Sequence, residues 1–384
     1  MWTTTRPTAQ ALDRTDPLAD LRIRYDLPPG LIHLDGSSGG PLPRTTPARL
    51  RRFVEHHREP YTGHNCGESD WRGEARLAAA ALAPLIGAAA GEITVVETAS
   101  ISLFKALLAA ARLRPGRPII AVGRDSFPAD CLLARSAADF IGGRLHLVGS
   151  SDELAELPAD QVAVVAVSHT DARTGGVRDA AAITAEIHRV GALALWELSG
   201  SAGALEVDLH GWDVDFAIGS GDRYLGGGSG APAYCFVADR HRDEAPKAFC
   251  TAAGALHSLG DGFAGSLSVA ELRSGLSIVD GVAPAALAAK TARLVEFFLM
   301  GLDRFCADAQ IEVVPVREGL CRGAQISLRH DRAQRIAEAL YDRDVLVDYA
   351  EGDLLRLSFA PSWLRYVDVW EATEQLHAAL HEVG

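Results

Sequence analysis

The sequence predicts an α/β protein: a large domain with a mainly parallel sheet flanked by helices, then a smaller C-terminal α+β domain. Three observations carry this. From about residue 90 to 240, short runs that are apolar on nearly every residue alternate with segments of helical period. Such runs suit strands buried on both faces. After about residue 265 the order changes to long helical stretches interleaved with paired strands. The chain has 384 residues, 48% hydrophobic and 23% charged, which allows two domains and excludes general disorder.

The elements follow in order. Residues 1–45, rich in Thr, Pro and Gly, read as an N-terminal arm, 46–265 as the large domain and 266–384 as the small one. In the large domain TASISLFKALLAAARL is a helix with Leu103, Leu107 and Ala110 on one side and Thr98 and Ser100 as cap candidates; Pro115-Gly116 ends it. Strands are expected at 119–122, 145–148, 162–167, 192–198, 216–218 and 233–237, with a helix at 179–190. In the small domain the expectation is a long helical stretch over 267–305, strands at 312–316 and 325–328, and a helix at 332–342. Strands at 345–349 and 354–358 and a last helix over 367–381 complete it.

Composition narrows the function. The net charge is −13 and no Lys/Arg cluster interrupts it, so a phosphate-tracking nucleic-acid face is not expected. No apolar run approaches the ~20 residues of a bilayer span, and the first residues do not read as a secretion signal. A cytoplasmic protein is the expectation. Six scattered cysteines without a CxxC read as reduced core thiols rather than a metal site. Of 37 basic residues only three are lysine: Lys105, Lys247 and Lys290.

Six segments in order then give a family likeness. His33-Leu-Asp-Gly-Ser-Ser-Gly-Gly, Arg124-Asp-Ser-Phe-Pro-Ala-Asp130, Ser168-His-Thr-Asp-Ala-Arg-Thr-Gly175, Leu195-Trp-Glu-Leu-Ser-Gly-Ser-Ala-Gly-Ala204, Val207-Asp-Leu-His-Gly-Trp212 and Tyr224-Leu-Gly-Gly-Gly-Ser-Gly-Ala-Pro232 together resemble kynureninase. This is a class V, fold type I family that uses pyridoxal phosphate. The resemblance implies a fold type I large domain and a homodimer whose sites are built from two chains.

It also implies where the cofactor machinery should be. Phe127 matches the ring that stacks on the pyridine, Asp130 matches as well, and Glu197 stands at the family's pyridine-nitrogen aspartate. Thr98 and Ser100 match hydroxyls of the phosphate cup, whose middle position reads Ala99. Gly200 replaces a histidine and Asp222 a tyrosine. Arg223 stands where the family has the imine-forming lysine. A guanidinium stays protonated and has no lone pair to attack an aldehyde, and Lys105 and Lys247 are not expected to substitute. The expectation is therefore no cofactor, with non-covalent pyridoxal phosphate left open.

For the site two readings stand beside each residue. Arg223 either closes an ion pair with Glu197 or Asp222 in a vacated cofactor site, or takes an anionic ligand. Glu197 and Asp222 either form an acid/base pair or neutralise Arg223. His169 ends a buried strand at the ligand-binding edge, catalytic or retained for packing. Arg356 matches the arginine that forks onto a substrate carboxylate. His64-Asn-Cys66 with Glu68 and Asp70 is open to a metal or a Cys/His nucleophile, but a metal is not expected and His64 is taken as a substrate contact. Three functions follow: a repurposed enzyme of specialised metabolism acting without cofactor on a carboxylate-bearing, amino-acid-derived or aromatic molecule by elimination, hydrolysis or cyclisation; a non-catalytic pseudoenzyme or binding protein; or a lyase or hydrolase holding pyridoxal or pyridoxamine phosphate non-covalently.

Overall fold

The computed structural model describes residues 4–36, 39–57, 71–149, 151–242, 244, 265–306, 310–316, 318, 320–350 and 352–383. Its centre is a seven-stranded sheet, in spatial order Ile93–Val96, Ala233–Val237, Phe216–Ser220, Leu193–Glu197, Val162–Ser168, Ile119–Gly123 and Arg144–Val148. Every neighbour pairing is parallel except those of Ala233–Val237, which runs against both its partners. The interior strand Val162–Ser168, valines and alanines closed by a serine, is buried at all seven positions, as a near-continuous apolar run should be when helices cover both faces.

The Ala99–Leu113 helix packs its buried Leu103, Ala106, Leu107 and Ala110 on one face of that sheet beside Pro128–Phe140. Trp71–Leu82 and Ala180–Arg189 pack on strands of the sheet as well. In such a sheet the carboxyl ends of the parallel strands share one edge. Gly123, Ser168, Glu197 and Ser220 are the last residues of four of them, and the Ala99–Leu113 helix begins just beyond the end of a fifth. Five of the six segments quoted for the resemblance lie in the seven-stranded-sheet part of the chain.

The second sheet is antiparallel, in the order Glu312–Val313, Gln325–Arg329, Leu354–Ser358, Asp348–Ala350. The helices Ala333–Tyr341, Pro284–Phe305 and Tyr366–Val383 accompany it. Three expectations change. The helical stretch over 267–305 is two helices, Ser266–Leu276 and Pro284–Phe305, because Gly281 takes a positive φ of 74° and Pro284 starts the second. The strand at 345–349 divides: Val345–Leu346 pairs in parallel with Ile32–His33, while Asp348–Ala350 joins the antiparallel sheet.

The arm also holds more order than its composition suggests. Arg6–Thr15 is a helix capped by the Thr5 hydroxyl, which accepts from the Thr8 amide. It packs on the last helix of the chain. The Asp13 carboxylate accepts from the amides of Tyr366 and Val367 at 2.7 and 3.1 Å, capping that helix, and Arg22 pairs with Asp368 at 2.9 Å. No helix among the described residues is long and apolar enough to cross a membrane.

Candidate active site

At the carboxyl edge of the seven-stranded sheet the chain gathers several of the residues singled out by sequence. Glu197 is buried there. Its Oε1 accepts from the Ser199 amide at 2.7 Å; the Ser199 hydroxyl accepts from the Ser220 amide at 2.9 Å; and the Ser220 hydroxyl donates to Asp222 at 2.5 Å. A hydrogen-bonded chain thus joins two acids. Burial pushes the Glu197 carboxyl above its ordinary range, and Ser199 and the Arg223 charge only partly offset it.

Asp130 lies in the first turn of the Pro128–Phe140 helix. Burial, reinforced by the negative charge of Glu197, raises it to about 7. The two carboxyls therefore resist being ionised together, and a cation or a proton between them relieves both. Phe127, immediately before that helix, carries the Arg223 guanidinium over its ring, 5.4 Å from the centroid. Arg223 makes no direct ion pair with Glu197 or Asp222 among the described residues. In place of the ion-pair alternative there is a cation on an aromatic face, whose charge is felt by Glu197.

Thr98 and Ser100 lie exposed at the start of the Ala99–Leu113 helix. The Thr98 hydroxyl accepts from the Ile101 amide at 3.2 Å, and Thr98 O takes the first intrahelical bond, from Ser102. The first-turn amides and both hydroxyls form an N-terminus suited to an anion.

The ring of His169 contacts Trp212 and Trp196, with centroids 4.9 and 6.1 Å away. Its Nδ1 is buried without a partner, and burial followed by the nearby Arg178 charge lowers it to about 4, so the ring is neutral. Arg178 itself is fixed by Asp125 at 2.6 Å and the Ser168 carbonyl at 2.7 Å.

Arg356 is set in the Leu354–Ser358 strand opposite Ser327, with one amino group 2.5 Å from Asp348 and its Nε buried without a partner. Nearby a narrow cleft is lined by Thr170, Gly175, Gly200, Arg223, Tyr224, Ala324 and Gln325. Gly200 is required there, because a Cβ would stand 2.1 Å from the Thr170 hydroxyl. His64 and Cys66 lie outside the described residues, as does Lys247. Lys105 pairs with Glu97 at 3.5 Å and Lys290 with Asp16 at 2.7 Å.

Some participants were not visible in the sequence. Ser199, Ser220 and Thr170 sit inside or beside quoted segments but carry no signal of their own. Asp348 stands opposite Arg356 on the adjoining antiparallel strand, a pairing that the sequence does not mark. Tyr234, on the neighbouring antiparallel strand, has a buried hydroxyl without a partner and feels the charge of Glu197. Its ring passes over Gly219, where a Cβ would stand 2.2 Å from the hydroxyl.

Comparison with known proteins fixes the kinship. The aminotransferase class-V family model matches residues 34–233 and the kynureninase C-terminal domain model residues 287–376. A kynureninase of Deinococcus radiodurans is 36% identical, over 97% of this chain and 96% of its own. The chain belongs to the kynureninase family. Among solved structures, the apo cysteine desulfurase of Thermococcus onnurineus NA1 superposes with a TM-score of 0.79 at 16% identity, covering 95% of this chain and 97% of that one. A lysine-to-alanine mutant of C-DES, with glycine covalently linked to its PLP cofactor, gives 0.78 at 15% identity, covering 93% and 98%. These likenesses establish the fold type I architecture.

Membership in this family overturns the expectation of a cofactor-free protein that Arg223 had suggested. The inference from one side chain was too strong, because a lysine link is one of several contacts that hold such a cofactor. Phosphate, ring and nitrogen each contribute binding of their own. The residues present fit those three parts. The helix start at Thr98 and Ser100 suits the phosphate, the Phe127 face suits the ring, and the strained carboxyl pair of Glu197 and Asp130 suits a pyridinium N–H. Arg223 does not fit a covalent imine.

Proposed function

We propose that this protein is a lyase or hydrolase that holds pyridoxal or pyridoxamine phosphate without a covalent bond and acts on a carboxylate-bearing, amino-acid-derived small molecule. The observation carrying this reading is the buried Glu197 with the half-buried Asp130, both carboxyls raised, and the Phe127 ring that already holds a cation. Such a pair is costly in an empty site and useful around a protonated ring nitrogen. In this reading Arg223 stands at the family's lysine position.

The bound cofactor would supply an electron-withdrawing ring that weakens bonds at the substrate carbon joined to it. The chain's own residues do the rest. Glu197, fixed by Ser199, holds the charge at the ring-nitrogen end. Asp130, poised near neutrality, holds or releases a proton beside it. Thr98, Ser100 and the amides after them bind the phosphate. Arg356, braced by Asp348 and with a buried Nε that has no partner, is the candidate to bind a substrate carboxylate. Asp222, tied through Ser220 and Ser199 to Glu197, is the second candidate for moving a proton. The homodimer implied by the resemblance belongs to this reading, and a monomer mass in light scattering counts against it.

The test is an absorption titration of the purified protein with pyridoxal phosphate and pyridoxamine phosphate between 300 and 500 nm, followed by borohydride and gel filtration. Uptake that borohydride does not fix, and that gel filtration removes, supports the proposal. A borohydride-fixed adduct restores a lysine link, and no uptake at millimolar cofactor rejects the reading.

A further inference from the structure

The Val162–Ser168 strand carries one polar side chain, at its end. Ser168 is 2% exposed, and its hydroxyl is buried with no hydrogen-bond partner. A hydroxyl buried unpaired destabilises a fold, so its presence calls for a reason. Register supplies one. Ser168 is the direct partner of Glu197 across the parallel pairing of their strands. Two residues earlier, Ala166 and Leu195 are partners as well, and both belong to the apolar cluster beneath the Ala99–Leu113 and Pro128–Phe140 helices. The two-residue alternation of a strand therefore puts the Ser168 and Glu197 side chains on that same helix-covered face, on strands about 4.8 Å apart.

The backbone around this pair is fixed. The His169 amide donates to the Glu197 carbonyl at 2.9 Å, and the Ser168 carbonyl accepts at 2.7 Å from Arg178, itself clamped by Asp125 at 2.6 Å. The serine hydroxyl is one bond from this frame and turns among three staggered positions. On the other strand, Glu197 Oε1 is taken by the Ser199 amide at 2.7 Å. We infer that Ser168 is a positioning residue for Glu197: its hydroxyl, unpaired in this structure, turns to donate to the Glu197 carboxylate when a protonated heteroaromatic ring binds at that acid. The inference rests on the proposed function. A ring N–H holds Glu197 in its ionised form, which accepts hydrogen bonds and donates none. A hydroxyl from the adjoining strand then stabilises the charge and orients the carboxylate. The proton stays on the serine.

The experiment is a fluorescence titration with pyridoxamine phosphate, which has no aldehyde to react with stray amines, on the wild type and Ser168→Ala at pH 8 and pH 5. A hydrogen bond to an ionised group carries about tenfold in affinity, so the variant binds about tenfold more weakly at pH 8. The gap narrows at pH 5, where Glu197, raised by burial, is increasingly protonated and has less use for a donor. The ratio at each pH cancels the ligand's own ionisation, and Asp130, Asp222 and Arg223 act on Glu197 alike in both proteins. The second readout is thermal unfolding without ligand, in which Ser168→Ala melts no lower than the wild type, having lost a hydroxyl that was unpaired. Equal affinity at pH 8 overturns the inference while leaving the proposed function standing. A loss of the same size at both pH values, or a lowered melting temperature without ligand, assigns the serine to the fold and also overturns it. Absence of uptake by the wild type overturns both.

Discussion

One strand carries a buried acid problem at each end, solved in opposite ways. At its start, the Ala194 amide donates at 2.8 Å to Asp215, which also meets the Nε2 atoms of His188 and His241 at 2.7 Å and Arg240 at 2.9 Å. Burial pushes Asp215 up, but these partners overcome it and hold the carboxyl well below the usual range. At the other end, Glu197 has the Ser199 amide and a cation on a neighbouring ring, and burial prevails. The first acid is saturated with donors and works as structure. The second is kept short of them, the condition under which a ligand can add what is missing.

This contrast can be broken from the strong end first. Asp215→Asn should cost about 3 kcal/mol in chemical denaturation, because a buried amide, two histidines and an arginine lose one common acceptor. Glu197→Gln should leave the unliganded fold as stable as the wild type or more so, yet weaken pyridoxamine phosphate about tenfold in the same fluorescence titration. Equal loss of stability at both ends would erase the distinction.

The pH response sharpens it. Asp130, raised in the fold to about 7 from an ordinary value of 3.8, binds more protons folded than unfolded between those limits. Its contribution is therefore full below pH 4 and is lost as pH rises through 7. Asp130→Asn should flatten that decline, adding on the order of 1 kcal/mol at neutral pH. Asp215 has the opposite sign: its contribution is present above the unfolded value and is lost only in strong acid. Melting curves from pH 2 to 8 on the two variants separate these slopes. The smallest effect is expected at Asp348→Asn, under 1 kcal/mol in stability, with a weakened thermal shift by carboxylate ligands that Arg356→Gln abolishes.

These differences mark how far the sequence can be read. Strands such as Val162–Ser168 were legible because burial on both faces leaves an apolar residue at every position. Glu197, Asp130 and Phe127 were legible because they lie in short segments of fixed order at strand ends. The Glu197–Ser199–Ser220–Asp222 chain was not, since serine carries no pattern and the bonds cross between strands. Asp348 was hidden for the same reason. Of the two readings of Arg223, the ion pair is not among the contacts of the described residues, since adjacency in sequence says nothing about direction: the side chain lies on a ring. The cofactor was misjudged because one reactive atom was taken for the whole binding energy. The N-terminal helix escaped notice because its buried residues are few and Ala9 is its anchor.

That helix has a consequence for the order in which the chain matures. Residues 6–22 leave the ribosome well before their partners, Glu371, Tyr366, Val367, Asp368 and the Trp363 carbonyl, which follow some 340 to 365 residues later. Closing so long a loop is slow and comes late in folding. Until then, the apolar face of the Arg6–Thr15 helix must wait for the Tyr366–Val383 helix to emerge.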